Sequence, residues 1–208
     1  MHSNIEHLVN LFRGVRDVRA TIRQYCLGAD LLTPEMEHLL QGFEQTYGVT
    51  VKRYKAPDFR DELLRGVYIR TGNDVAIYLD ANLSEDWERY ISVKEMAHLI
   101  LTDPDYMTTE PTDLIENLIH EETAPQDGEA PLDLVADMWT KLAAHEILFP
   151  FEVRAAAKAA LDAQTTTLFA LAQQYGIPEH VIEWTLGKSY VQTCQTVWEK
   201  IAEIEAGK

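Results

Sequence analysis

The chain has 208 residues, of which 46% are hydrophobic, and this suits one domain with a sizeable core. Its net charge of −16 repels phosphate backbones, so we expect no direct binding to nucleic acid. No apolar run approaches the roughly 18 residues of a membrane span, and the first residues lack the pattern of a secretory signal. Cys26 and Cys194 form no disulfide framework, so we expect a cytoplasmic protein without membrane contact.

The charge is unevenly distributed along the chain. Residues 103–137 contain eleven Asp and Glu and no Lys or Arg. In contrast, the first 26 residues carry Arg13, Arg16, Arg19 and Arg23. An acidic run of this kind is usually a solvated loop, and the alternative is a surface for a basic partner.

The first predicted element is a helix over residues 4–25, because apolar residues recur there on one helical face. A second helix is predicted to start at Thr33, a good N-cap followed by Pro34, and to stop at Gly48. Residues 49–54, "VTVKRY", alternate as a strand does.

Residues 66–80, "GVYIRTGNDVAIYLD", predict a hairpin, and residues 84–101 predict one helix with Ser84 as its N-cap. After the irregular acidic run, helices are predicted over 132–149, 153–174 and 178–187, and again from Tyr190 onward. This order predicts an α+β fold with a small antiparallel sheet, a motif-bearing helix and flanking N- and C-terminal helices.

Residues 94–98, "KEMAH", almost form the zinc-binding motif H-E-x-x-H. In that motif two histidines at positions i and i+4 share one face of a helix and hold the metal. The glutamate acts on the metal's water, whose pKa zinc lowers to about 7. Here Lys94 replaces the first histidine, and a lone E-x-x-H on a helix is a weak signal.

The neighbouring segments make the pattern more specific. Residues 93–101 read "VKEMAHLIL", residues 143–150 read "AAHEILFP", and residues 171–186 read "LAQQYGIPEHVIEWTL". In this order, after a glycine-led hairpin, they resemble the ImmA/IrrE family of metallopeptidases over roughly residues 43–192. The resemblance implies a zincin-like fold, with an N-terminal helix (1–30), a metallopeptidase-like domain (31–192) and a C-terminal helix end (193–208).

The resemblance also implies roles for individual residues. Glu95 matches the catalytic glutamate and His98 the second histidine ligand. The third ligand falls on Asp137, counted back from Pro150, or on Asp133 one turn earlier. Two protein ligands are fewer than the three of a catalytic zinc site, so we expect no bound cofactor, and zinc only if the site is active.

Lys94 itself has two interpretations. It stands in the cleft as a fixed cation paired with Glu95 or Asp137, or it faces solvent on an exposed helix turn. A buried charge has to be paired to be tolerated, which is the argument for the first interpretation.

Active members of the family are zinc endopeptidases that cut or release DNA-binding repressors in phage, mobile elements and stress responses. Our first hypothesis is therefore a catalytically degenerate regulator that binds a protein partner, such as a basic DNA-binding repressor. The second is an active zinc endopeptidase that takes its missing ligand from His120 or His145. The third is an interaction module unrelated to repressors.

Two further patterns are interpreted as structural. His145 and Glu146 lack a second histidine at the required spacing, so we expect them to be surface or helix-face residues and not ligands. Residues 170–186 resemble a helix-turn-helix, but Glu179 and Glu183 on its second helix would repel phosphates.

Overall fold

The computed structural model describes residues 3–26, 28, 30–57, 65–101 and 132–207, with the backbone alone at 3–4 and 132–135. Most of the acidic run and His120 lie outside these residues. The described elements are α1 (Ser3–Tyr25), α2 (Met36–Tyr47), β1 (Thr50–Ala56), β2 (Gly66–Thr71), β3 (Asp74–Asp80), α3 (Glu85–Met96), α4 (His98–Leu101), α5 (Leu132–Leu148), α6 (Phe151–Asp162), α7 (Leu168–Tyr175), α8 (Glu179–Thr185) and α9 (Lys188–Glu205). The α+β class is confirmed. None of the described helices is long and apolar enough to cross a membrane.

Helix α1 lies in the centre of the helical layer, against α2, α5 and α9. Of its predicted apolar stripe, Leu8, Phe12 and Val15 are fully buried and Ile5 is partly buried. These side chains belong to the same core cluster as residues of α5 and α9. The N-terminal helix therefore shares the core of the remaining chain, and the boundary predicted after residue 192 falls inside α9.

Helix α2 begins later than predicted and ends as predicted. Glu35 occupies the N-cap position, while the Thr33 hydroxyl donates a hydrogen bond to Asp30 at 2.7 Å. Gly48 adopts the left-handed conformation, with φ 62°, and its N–H donates to the carbonyl of Glu44. This is a glycine C-cap, in which the missing Cβ removes the usual steric cost of positive φ.

The sheet has the order β1-β3-β2, and the predicted β2–β3 hairpin is confirmed. The expectation of a purely antiparallel sheet is wrong, because β1 pairs in parallel with β3. Strand β1 pairs with the edge of β3 that lies opposite β2. Because β2 runs in the opposite direction to both of them, β1 and β3 are parallel. Val75, Ile77 and Leu79 point to the buried face, and α3 packs against β2 and β3.

A buried ion pair joins α5, α6 and α9. Glu146 Oε1 lies 2.5 Å from Arg154 Nη2, and the two residues are 0% and 1% exposed. Glu146 Oε2 accepts hydrogen bonds from the Phe151 N–H at 3.3 Å and the Trp198 indole N–H at 3.2 Å. Arg154 also donates twice to the carbonyl of Phe149. The surface position, one of the two expected for Glu146, is therefore wrong.

His145 is buried as well, which also corrects its predicted surface position. Its Nε2 lies 3.0 Å from the Tyr90 hydroxyl and its Nδ1 3.1 Å from the Tyr190 hydroxyl. Burial, reinforced by the positive charge of Arg154, holds the pKa of His145 well below its usual value. The ring is therefore neutral, with one nitrogen donating and the other accepting.

We predict that Glu146→Gln lowers the free energy of unfolding by about 3–5 kcal/mol, because it leaves the buried guanidinium of Arg154 without its counter-charge. Chemical denaturation measures the loss. Asp162→Asn is the control, since Asp162 pairs with Lys158 at an exposed position, and we expect a change below about 0.5 kcal/mol. Equal losses in the two variants would contradict the anchoring role of Glu146.

We also predict that the protein loses stability as the pH falls below about 6.5, the ordinary pKa of histidine. Below that pH, His145 binds a proton in the unfolded chain but stays neutral in the folded protein. The free energy of unfolding therefore falls by up to about 1.4 kcal/mol per pH unit because of this group. His145→Gln should reduce the slope between pH 6.5 and 5. Tyr90→Phe should lower stability but keep the slope, because the buried imidazole remains. A slope as steep in His145→Gln as in the wild type rejects this assignment.

Candidate functional site

The helix that carries the motif is interrupted in the middle of it. Helix α3 ends at Met96, Ala97 forms a turn, and α4 starts at His98. The N–H of Ala97 points at the carbonyls of both Val93 and Lys94, at 2.9 and 3.2 Å, and the N–H of Ile100 bonds back three residues to Ala97. The last turn is thus tightened toward three-residue spacing. The single helix predicted through residue 101 needs this correction, and Lys94 and His98 lie on either side of the break.

The ammonium group of Lys94 forms the centre of the site. Lys94 Nζ lies 2.7 Å from Asp137 Oδ1 and 3.0 Å from Glu95 Oε1, and the side chain is only 14% exposed. Burial alone would lower the pKa of Lys94, but the two carboxylates outweigh it and raise the pKa above its ordinary value. Lys94 is therefore a fixed cation. The pairing predicted with Glu95 or Asp137 is confirmed with both, and the solvent-facing interpretation is wrong.

Asp137 reaches this ammonium from α5. Its second oxygen, Oδ2, lies 3.1 Å from Nζ of Lys141 one turn later, so each carboxylate oxygen has its own cation. Burial would raise the pKa of Asp137, but Lys94 and Lys141 outweigh it and hold the pKa below its usual value. Of the two aspartates that the sequence left open, Asp137 makes this contact; the side chain of Asp133 lies outside the described residues.

Glu95 is packed beneath strand β2. Its side chain is 4% exposed, and a Cβ added to Gly66 would come within 3.0 Å of Glu95 Cγ and 2.5 Å of Ile91 Cγ2. The absence of a side chain at Gly66 thus allows the strand to approach α3 closely. Sequence reasoning identified the glycine-led hairpin but missed Gly66 as a residue of the site.

His98 lies on a partly exposed side of the cluster, beside β2. Its ring stacks on Tyr68 of β2, with centroids 5.3 Å apart and planes at 30°. Its Nε2 lies 3.7 Å from Glu95 Oε2, beyond hydrogen-bond distance. Burial lowers the pKa of His98, and together with the charge of Lys94 it outweighs the opposing charges of Glu95 and Asp137. His98 is therefore neutral at pH 7. Sequence reasoning also missed Tyr68 and Lys141, which had no signal in the motif itself.

These residues do not fit a catalytic zinc. Within the described part of the chain, no group of three His, Cys, Asp or Glu side chains is arranged to hold a metal ion. His98 and Asp137 would supply two ligands, and the ammonium of Lys94 bonds to the carboxylates that a metal would need. His145 offers no further ligand, since both of its ring nitrogens lie at hydrogen-bond distance from tyrosine hydroxyls.

The arrangement is suited to holding charge in a fixed place. Two ammonium groups, two carboxylates and one neutral imidazole meet where α3, α4, α5 and β2 come together. No protein family model and no curated protein matches this chain.

We predict that Lys94→Met destabilises the protein by about 3 kcal/mol at pH 7, because it leaves the buried carboxylate of Glu95 without its cation and Asp137 with Lys141 alone. The loss should shrink toward pH 4, because Lys94 lowers the pKa of Asp137 and the stability that this gives is lost as the pH falls toward the pKa of Asp137. Denaturant titrations at the two pH values measure it. Lys141→Met is the matched control and should cost about 1 kcal/mol or less, since Asp137 keeps Lys94. A loss at Lys94 no larger than at Lys141 would reject the central role of Lys94.

Proposed function

We propose that this chain is a metal-independent relative of the ImmA/IrrE metallopeptidases that binds a protein partner without hydrolysing it. One observation carries the proposal: the Lys94 ammonium bonds to both Glu95 and Asp137. By the resemblance, these are the positions of the first metal ligand, the catalytic glutamate and the third ligand. The zincin-like fold is part of this proposal.

The physical chemistry of the cluster supports binding over hydrolysis. An ammonium offers hydrogen bonds at about 2.7–3.0 Å, whereas zinc coordinates oxygen and nitrogen at about 2.0–2.2 Å and activates a water. Lys94 supplies a positive charge that keeps the two carboxylates from repelling each other, but it has no open coordination position for water. Glu95 Oε1 is engaged by the ammonium, which removes one oxygen from general-base duty.

The nature of the partner follows from charge and from the resemblance. A chain with a net charge of −16 and an acidic run over residues 103–137 attracts a basic surface. Repressors that bind DNA carry such surfaces. A basic DNA-binding repressor, in phage or mobile-element regulation, is therefore the partner class that we propose.

We predict that wild-type protein binds well under one zinc per chain and that Lys94→His gains zinc affinity by orders of magnitude. The substitution removes a competing cation and adds an imidazole to His98 and Asp137, which makes three ligands. Isothermal titration with zinc measures both, and Lys94→Met serves as the control that removes the cation without adding a ligand. Stoichiometric zinc in the wild type would favour an active endopeptidase, while no zinc in Lys94→His would mean that these residues are not a metallopeptidase relic.

The binding function needs its own experiment. Wild-type protein and Glu95→Gln should form the same complex with a small basic helix-turn-helix repressor encoded by a neighbouring gene, as seen by size-exclusion chromatography. The repressor should stay intact on gels in both mixtures. Cleavage that stops in Glu95→Gln would refute the non-hydrolytic function, and the lack of any complex would refute the partner class.

A further inference from the structure

A second concave surface lies away from the lysine cluster. A groove of about 440 Å³ runs between α1, the first residues of α6 and the α9 helix, which is within the size range of ligand sites. Its apolar wall consists of Val15, Ala20, Phe151 and Trp198. Its charged residues are Arg16, Arg19, Arg23 and Glu152. We call this surface the arginine groove.

The apolar wall of the arginine groove is held rigidly. The Trp198 indole N–H and the Phe151 backbone N–H both donate to Glu146 Oε2, at 3.2 and 3.3 Å. That carboxylate is in turn fixed by Arg154. The Trp198 ring also packs on Phe12 of the core, with centroids 5.3 Å apart. A wall formed in advance loses little conformational entropy when a ligand binds.

The three arginines follow one another at helical spacing along α1. Positions 16, 19 and 23 are three and four residues apart, so the guanidinium groups share one side of the helix and repel one another. Arg16 forms an ion pair with Glu205, and Arg19 forms one with Glu152 at 2.6 Å. Arg23 is exposed and has no ion-pair partner within the described part of the chain. Among the described residues, carboxylates thus occupy Arg16 and Arg19, and none forms an ion pair with Arg23.

The pKa of Glu152 shows the effect of the arginine groove on a carboxylate within it. Burial would raise the pKa of Glu152, but the hydrogen bond and charge of Arg19 outweigh it and hold the pKa below its usual value. Carboxylates are therefore favoured in their charged form beside the arginine row.

We propose that the arginine groove binds an acidic peptide segment of a partner protein. Arg23 receives a carboxylate of the peptide, and an apolar side chain of the same segment lies against Phe151 and Trp198. Guanidinium groups bind carboxylates in a bidentate manner, and arginine clusters are a recurring mode of acidic-motif recognition. A small inorganic anion would leave the apolar wall unused, and a long polyphosphate would meet the net charge of −16.

The test uses fluorescence anisotropy with a fluorescein-labelled peptide, Glu-Glu-Phe-Glu-Leu-Glu, and a control peptide with glutamine in place of glutamate. Wild-type protein should bind the acidic peptide and not the control. Arg23→Gln should weaken binding about tenfold, the effect of one lost charge-assisted hydrogen-bonding group. It should fold normally, since Arg23 is exposed. Lys52→Gln removes an exposed cation that does not line the groove and should leave binding unchanged.

Glu152→Gln supplies a readout in the opposite direction. It releases Arg19 from its internal partner, so the acidic peptide should bind severalfold more tightly. The proposal is overturned if no peptide binds up to about 1 mM or if Arg23→Gln binds as well as wild type. It is also overturned if the glutamine peptide, inorganic phosphate or single-stranded DNA binds as tightly as the acidic peptide. None of these outcomes depends on the lysine cluster, so the test stands apart from the proposed function.

Discussion

The buried pair of Glu146 and Arg154 is the interaction on which both surfaces of the molecule depend. It closes the C-terminal end of α5 onto α6 and α9. Asp137 lies nine residues earlier on the same helix, about 14 Å along its axis. The ion pair fixes one end of α5, and α5 also packs on α1 and α3. Asp137 is therefore held opposite Lys94 at a defined position along the axis of α5. The same carboxylate of Glu146 holds Phe151 and Trp198, so the arginine groove takes its wall from this pair as well.

The two charge clusters differ in how completely they are enclosed. Glu146 and Arg154 are sealed from solvent, and their polar atoms are satisfied by backbone, indole and thiol groups, as expected of a structural pair. In the lysine cluster, Asp137 is 33% exposed and His98 28% exposed. The charges of Lys94 and Lys141 cancel those of Glu95 and Asp137, so the cluster offers a divalent cation no net attraction. Its accessible side consists of the neutral imidazole of His98, stacked on Tyr68, and the paired carboxylate of Asp137, and this surface is better suited to contact with a partner than to catalysis.

Local signals in the sequence were sufficient for part of this structure. The amphipathic stripe of α1, the β2–β3 hairpin and the glycine cap at Gly48 each depend on residues within a few positions of one another. The pairing of Lys94 with Asp137 could also be anticipated, because both positions came from one family pattern.

The features that were predicted wrongly from the sequence depend on tertiary contacts. Strand β1 would be antiparallel to its neighbour beside β2 and is parallel to it beside β3. The alternation of "VTVKRY" is the same in both positions, so it does not predict which neighbour β1 has. The burial of His145 and Glu146 was missed because α5 is enclosed on all sides near its C-terminal end, and polar residues there have no exposed face to occupy. The break at Ala97 reflects a shift in hydrogen-bond spacing between Lys94 and Ile100. None of these leaves a periodic signature in the amino acids.

The net charge of −16 does not exclude an acidic ligand from every part of the surface. Salt screens charges beyond about 8 Å at physiological ionic strength, so a ligand responds to the groups near its contact surface. Around the arginine groove those groups are Arg16, Arg19 and Arg23 with Glu152 and Glu205, a locally positive balance. A long polyanion would extend beyond this region and meet the acidic remainder, whereas a segment of a few residues would not. The same total charge is therefore compatible with a basic partner over most of the surface and with a short acidic segment at α1.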